Sequence, residues 1–254
     1  MRIALIGYGK MGRIIEQIAQ AQGHTIAVIV EPFAEDTPAG VPLSKSIAEA
    51  NFDSADVAIE FSVPAIACAN ITALAQKKIP TVTGTTGWHD KMDEVRKAVE
   101  AANSALLWSS NFSIGVNLFY RIAWKAAELF NNFNDYDVGG FEVHHNKKLD
   151  SPSGTAKTLA EGVLSKIERK KKIVWETLDR KPAADELHFP SLRLGAVPGT
   201  HSLFFDSPAD TIEITHTARS REGFASGAVI AAQWLTAKER HGVFTIDDML
   251  KEFV

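Results

Sequence analysis

Cysteine is nearly absent: Cys68 stands alone in 254 residues, which excludes an intrachain disulfide framework and fits a reducing compartment. Its alanine-rich, helix-like surroundings mark it as a buried structural thiol and not a nucleophile. Long apolar runs are missing too. None approaches the roughly 20 residues of a membrane span, and the run after Met1 is too short for a signal-peptide core and leads into glycines, not a cleavage site. A cytoplasmic protein without a membrane partner is expected. Positive charge is not in excess, the net charge being −4 at pH 7, so no broad field draws in a nucleic acid. The one dense basic run, Arg169-Lys170-Lys171-Lys172, reads as a solvated helix end whose cations complement the dipole. Repeats and low-complexity tracts are lacking. What is present is ordinary globular material, 45% hydrophobic and 23% charged, enough for a sizeable core in one or two domains.

Over the first 110 or so residues, short β-branched runs alternate with helical patterns. Strands are predicted at 2–6, 25–30, 56–61, 80–83 and 105–108. Helices are predicted from Met11 to a stop at Gly23, over 64–78 and over 89–102. That alternation implies a Rossmann-type doubly wound parallel sheet with helices on both faces. The character changes after Asn111. A long amphipathic helix over 113–133 leads to a strand at 136–145, a helix starting near Ser153, and β-rich stretches at 173–176, 191–194, 201–205 and 211–216. The second part reads as an α+β domain with an open mixed sheet covered on one face. The expected organisation is a dinucleotide-binding domain of residues 1–111 and 222–254, and a substrate-binding and oligomerisation domain of residues 112–221.

Gly7-Tyr8-Gly9-Lys10-Met11-Gly12 lies directly after the first strand and before a helix, and Glu31 follows nineteen positions past Gly12 at the end of the next strand. The triplet alone is a weak signal; the triplet in this setting is the dinucleotide fingerprint. Gly7 permits a tight turn, Gly9 lets a pyrophosphate approach the backbone at the helix start, and Gly12 lets helix and strand pack closely. Glu31 would accept hydrogen bonds from the adenosine ribose and repel a 2′-phosphate, and Pro32 adds no cation. NADH is therefore favoured over NADPH, with Lys10 or Arg13 placed to soften the preference. Phe61-Ser62, Gly84-Thr85-Thr86 and Ser109-Ser110-Asn111-Phe112 fall at strand ends on the carboxyl edge, where such sheets bind ligands.

The densest chemistry is in GFEVHHNKKLDSPSGTAKTLAEG, residues 140–162. On a strand, His144 and His145 project in opposite directions, and Lys147, Lys148 and Asp150 follow in a loop. Ser151 is a candidate N-cap with Pro152 at the first helical position, leaving the N–H groups of Ser153, Gly154 and Thr155 exposed. Such a start attracts a carboxylate, but a helix terminus contributes only about 0.3–2 kcal/mol, so His145 and the lysines are expected to assist. His144 and Lys148 can supply the proton donors that a hydride-transfer reaction needs. Zinc is rejected because adjacent histidines diverge from a strand and no cysteine or third histidine lies at ligand spacing nearby; no metal is expected.

EVHHNKKLDSPSGTA closely resembles the signature E-x-H-H-x-x-K-x-D-x-P-S-G-T-A of the 4-hydroxy-tetrahydrodipicolinate reductases. GYGKMGR, GTTGW, SSNFSIGVN and IEITHTARSREGFASGAV resemble further blocks of that family in the same order, over nearly the whole chain. The resemblance implies a homotetrameric two-domain oxidoreductase of the diaminopimelate and lysine pathway. It would use NADH or NADPH to reduce a small cyclic dicarboxylate, the product of dihydrodipicolinate synthase, with loss of water. It implies His144 and Lys148 as catalytic residues, and His145, Gly154 and Thr155 as carboxylate ligands. Gly7 to Gly12, Glu31, Gly84 to Thr86 and Ser109 to Phe112 would contact the cofactor. The C-terminal helix is implied to return to the nucleotide domain. Well-known members carry arginine where this chain has Pro32, and often where it has Val63, which points away from a strong NADPH preference. Rival readings are a two-domain dehydrogenase of the homoserine or aspartate type, which lacks the His-His-x-x-Lys run, and a non-catalytic dinucleotide sensor, which has no use for two proton donors.

Overall fold

After the exposed Arg2 at its start, the first strand is apolar because both of its faces are covered. The computed structural model describes residues 1–253. Its chain opens with β1 (Arg2–Ile6), α1 (Lys10–Ala21), β2 (Thr25–Val30), β3 (Leu43–Ser44), β4 (Val57–Glu60), α2 (Pro64–Gln76), β5 (Thr81–Thr83), α3 (Met92–Ala101) and β6 (Ala105–Trp108). Ala4, Ile6, Val28, Val30 and Ala58 pack with Leu74 of α2 on one side of the sheet. Ile3, Leu5 and Ile59, which alternate with them, are equally buried on the other side. Gly23, at φ +79°, ends the first helix region, and His24 N–H reaches back to Ala19 O at 2.9 Å. The helix expected over 89–102 is divided: a single 3₁₀ turn, His89–Lys91, precedes α3. Cys68 is buried on α2 among Ala67, Ile71 and Trp88, and burial pushes its thiol pKa up.

Residues Ile114–Ser220 form a separate compact unit. Its elements are α4 (Ile114–Phe130), β7 (Asp137–His144), α5 (Gly154–Leu164), β8 (Lys172–Val174), β9 (Glu186–His188), β10 (Ser191–Arg193), β11 (Thr200–Asp206) and β12 (Thr211–Thr217). The main sheet runs β10-β7-β11-β12, with β10 parallel to β7 and the other pairs antiparallel. Val138, Leu203, Phe205 and Ile214 face α4 and α5 and form the core with Tyr120, Leu159 and Val163. A Cβ on Gly162 would stand 2.0 Å from Trp124 Nε1, so only glycine lets α4 and α5 approach this closely. Phe141 and Phe204 stack on the opposite face, ring centroids 5.8 Å apart.

The basic run is not a solvated helix end. The helix has already stopped at Leu164, and Lys170 is buried with Nζ 2.6 Å from Asp137 Oδ1 and 2.8 Å from Glu186 O. Lys172 pairs with the buried Glu186 at 3.0 Å, and Arg169 donates to backbone carbonyls at 130, 131 and 136. Partners distant in sequence draw Lys170 inward and tie Arg169 and Lys172 to the unit, while Lys171 and Lys172 stay exposed.

The chain then returns to the first unit through α6 (Glu222–Thr236), β13 (Gly242–Thr245) and α7 (Ile246–Lys251). Helix α6 packs against α1. Strand β13, too short to be anticipated, completes an all-parallel sheet of order β13-β6-β5-β4-β1-β2-β3. Read from the other edge this is the dinucleotide-fold order with one added strand, and its switch point lies between β1 and β4.

Candidate active site

The carboxyl ends of β2, β1, β4, β5 and β6 are consecutive in one sheet, so the turns after them share an edge. Gly7 adopts φ +91°, and a Cβ there would stand 2.3 Å from Phe61 O; a Cβ on Gly12 would stand 2.3 Å from Gly7 O. The loop therefore has no room for a side chain at either position. Gly9 is the N-cap of α1, without a side-chain cap and with no acid in the first turn, and nothing lies within 4 Å of where its Cβ would be. An uncapped positive helix end facing open space fits a pyrophosphate. Glu31 takes Tyr8 N–H at 3.0 Å and Phe33 N–H at 3.2 Å; a carboxylate offers about four acceptor sites, so capacity for ribose hydroxyls remains. Arg13 is bound to Asp36 at 2.9 Å, with its guanidinium 4.5 Å from the Tyr8 ring centre, while Lys10 is exposed and Met11 half-buried.

Several side chains expected at the cofactor are committed inward. Tyr8 is buried and bonded to Glu16, and burial and that carboxylate push its pKa up to about 12. Thr85 Oγ1 accepts from Ser62 N–H at 2.9 Å, Ser109 Oγ donates to Asn111 O at 2.8 Å, Asn111 Oδ1 accepts from Ser113 N–H at 2.9 Å, and Phe112 is buried. Thr86 and Ser110 are exposed, and the Phe61 ring occupies the space a Gly84 side chain would need. A residue that sequence reading missed organises this edge. Glu60, fully buried, accepts from Thr83 Oγ1 at 2.5 Å and Ser62 N–H at 3.2 Å and contacts the Ser62 hydroxyl.

In the second unit the cap of α5 is Ser153, not Ser151: its Oγ accepts from Ala156 N–H at 3.1 Å, and Pro152 precedes the cap in a cis peptide with Ser151. The Ser153 N–H is not open to a ligand, because it donates to Glu142 Oε1 at 3.1 Å. Gly154 remains exposed, with nothing within 4 Å of its Cβ position, and Thr155 is half-buried. Lys148 is held 2.8 Å from Asp150 Oδ1 and keeps that carboxyl below its usual range. His145 is half-buried with an unpartnered buried Nδ1, and Lys147 is exposed.

The register that places His201 opposite Glu142, and the two-residue period of β7, put Glu142, His144 and His201 on one face. Glu142 Oε2 contacts His144 Nδ1, and Arg193 Nη2 donates to Oε1 at 3.0 Å. Burial opposes the Glu142 charge, but His144 and Arg193 outweigh it and hold the carboxyl well below the usual range. Burial and the neighbouring His144 depress His201 to about 4, so it is neutral near pH 7. His201 is the third histidine whose absence from the local sequence argued against a metal. Candidate ligand atoms of Glu142, His144 and His201 lie within 4.8 Å of one another. The Arg193 guanidinium on the same carboxylate already supplies its countercharge.

Residues 1–112 match the family described as dihydrodipicolinate reductase, N-terminus, and residues 115–250 match dihydrodipicolinate reductase, C-terminus. A 4-hydroxy-tetrahydrodipicolinate reductase of Christiangramia forsetii is 42% identical over 252 residues, 99% of this chain and 98% of that protein. One from Archaeoglobus fulgidus is 36% identical over 265 aligned positions, 99% and 100% of the two chains. A solved dipicolinate-bound dihydrodipicolinate reductase from Paenisporosarcina sp. TG-14 superposes with a TM-score of 0.79 at 20% identity, over 96% of this chain and 97% of that one, a likeness of fold. With both halves matched in order and relatives aligned from end to end, the chain belongs to the dihydrodipicolinate reductase family.

Proposed function

We propose that this enzyme reduces 4-hydroxy-2,3,4,5-tetrahydrodipicolinate to tetrahydrodipicolinate in diaminopimelate and lysine biosynthesis. One hydride and one proton enter the ring and one water leaves. The Paenisporosarcina protein binds dipicolinate, a ring with two carboxylates, and the same ligand class suits the second unit here. The observation that carries the reading is the start of α5. Gly154 opens it to solvent, and one segment earlier stand an unpartnered buried nitrogen of His145, the His144 imidazole and the Lys148 ammonium. His145, Gly154 and Thr155 hold a carboxylate of the substrate, and His144 and Lys148 move the protons.

A bound nicotinamide nucleotide supplies the hydride. The backbone from Gly7 to Gly12 holds its pyrophosphate, Glu31 its adenosine ribose, and the 84–86 and 109–112 turns its other end. Since the side chains of Tyr8, Thr85, Ser109 and Phe112 are committed inward and Glu31 already takes the Tyr8 N–H, these positions act by shaping the turns and through their remaining backbone groups. NADH is preferred: Glu31 repels a 2′-phosphate, Pro32 brings no cation, and Arg13 is already paired with Asp36.

The Phe141–Phe204 face of the second sheet supports assembly through this unit, as a homotetramer. Among the described residues no helix is long and apolar enough to cross a membrane, and the lone buried Cys68 suits the cytoplasm.

The test is a steady-state assay coupled to dihydrodipicolinate synthase, with NADH and NADPH in turn. Nucleotide oxidation that depends on the synthase product, faster with NADH, is expected. Nucleotide binding without any oxidation would replace the enzyme by a sensor.

A further inference from the structure

Glu142 is fully buried, a costly place for a carboxylate unless its charge is used. Its contacts end on four functional parts of the second unit. Oε2 touches His144 Nδ1, and neither of these atoms has another hydrogen-bond partner. Oε1 takes the Ser153 N–H at 3.1 Å, and Ser153 is the residue that caps α5. Oε1 also takes Arg193 Nη2 at 3.0 Å, and the same Nη2 donates to Asp150 O at 2.7 Å, so the guanidinium ties the carboxylate to the loop that holds Lys148. His201 closes the cluster: its Nε2 lies 3.2 Å from Ser153 Oγ and 4.0 Å from Glu142 Oε2, and its ring meets the His144 ring edge-on with centroids 5.1 Å apart.

The other edge of the imidazole is confined as well. Gly199, at φ +154°, passes so close to His144 Nε2 that a Cβ there would stand 2.8 Å away. The ring is thus held between a carboxylate at Nδ1 and a bare backbone at Nε2. A carboxylate is an acceptor only, so the nitrogen facing it carries a proton.

We propose that Glu142 is the positioning residue of this site. It fixes His144 as the Nδ1–H tautomer in one ring orientation, and it sets the start of α5 and, through Arg193, the Lys148 loop relative to that ring. The proposal rests on the reading of His144 and Lys148 as the proton-transfer pair.

The test compares the intact wild-type chain with Glu142→Gln and Glu142→Asp, reading the His144 tautomer by ¹⁵N NMR and turnover in the coupled assay. Wild type should show the Nδ1–H form. In Glu142→Gln that single form should be lost and kcat should fall by about 10²-fold or more, with NADH affinity within about twofold, because the nucleotide loop is untouched. Glu142→Asp, which keeps the charge, should recover part of both. An Nε2–H tautomer in the wild type would overturn the proposal without any variant, as would a Gln variant that keeps the Nδ1–H form, or one that keeps near-full turnover while His144→Gln loses it. If the tautomer shifts in Glu142→Gln while His144→Gln is itself fully active, the positioning stands and the proton-transfer reading fails.

Discussion

Acid should weaken the second unit through His201. In the folded chain this imidazole is depressed from 6.5 to about 4, by burial first and then by His144, with His216 and Lys148 adding and Glu142 opposing. The unfolded chain therefore binds more protons between these two values, so this stability is fully present above about pH 6.5 and is lost as pH falls toward 4. Between pH 7 and pH 5 the linkage amounts to about 2 kcal/mol from this one residue. At a urea dependence of about 2 kcal/mol per molar, the unfolding midpoint should drop by about 1 M. Trp124 and Trp175, packed against the core of this unit, report its unfolding by fluorescence. His216, also depressed by burial, and Glu142, whose contribution fades below its ordinary value, act in the same direction. The informative quantity is accordingly the difference between wild type and His201→Gln, which has no imidazole to titrate. Identical pH slopes in the two proteins, or a wild-type midpoint that is flat from pH 7 to pH 5, would refute the argument.

His144→Gln and Lys148→Ala should each lower kcat by about two orders of magnitude or more while NADH affinity stays near wild type; near-full activity in both would remove them from the chemistry. Glu31→Ala should weaken NADH binding and narrow the gap to NADPH, measured by fluorescence titration. Asp36→Asn should release Arg13 and tighten NADPH by about two- to fivefold, the scale of an exposed ion pair, and an unchanged ratio of affinities would dismiss that pair as a selector. In Gly227→Ala the new Cβ would fall 1.7 Å from Phe112 O. We expect a loss of about 1–3 kcal/mol or more in thermal unfolding, together with weaker nucleotide binding as the 109–112 turn is displaced.

Much of the first unit was legible because its signals are local. The glycine loop needs only a preceding strand and a following helix, and Glu31 needs only the next strand. The misjudged features depend on contacts between distant residues or on a choice between equivalent neighbours. Ser151 and Ser153 both suit a cap by type; the acceptor Glu142, eleven residues upstream of Ser153, belongs to the arrangement that selects the second. Arg193 and His201 reach the histidine site from 51 residues beyond Glu142 and 48 beyond Ser153, through strand pairings that no window reveals. Strands β9 and β13, of three and four residues, are too short for periodicity. Lys170 looked like surface because Asp137 and Glu186, which bury its charge, lie far along the chain.

The first unit is written in two pieces with the second unit inserted between them. Helix α6 and strand β13 come from beyond Arg221, yet one covers α1, whose amino end carries the glycine loop, and the other closes the sheet edge at β6. During translation the loop emerges early, but the layer behind it is made only after the whole inserted unit. The ribosome therefore releases the histidine-bearing unit complete while the unit that carries the glycine loop is still unfinished. A nascent chain stopped near residue 220 should carry every residue of the glycine fingerprint and still fail to grip a nucleotide.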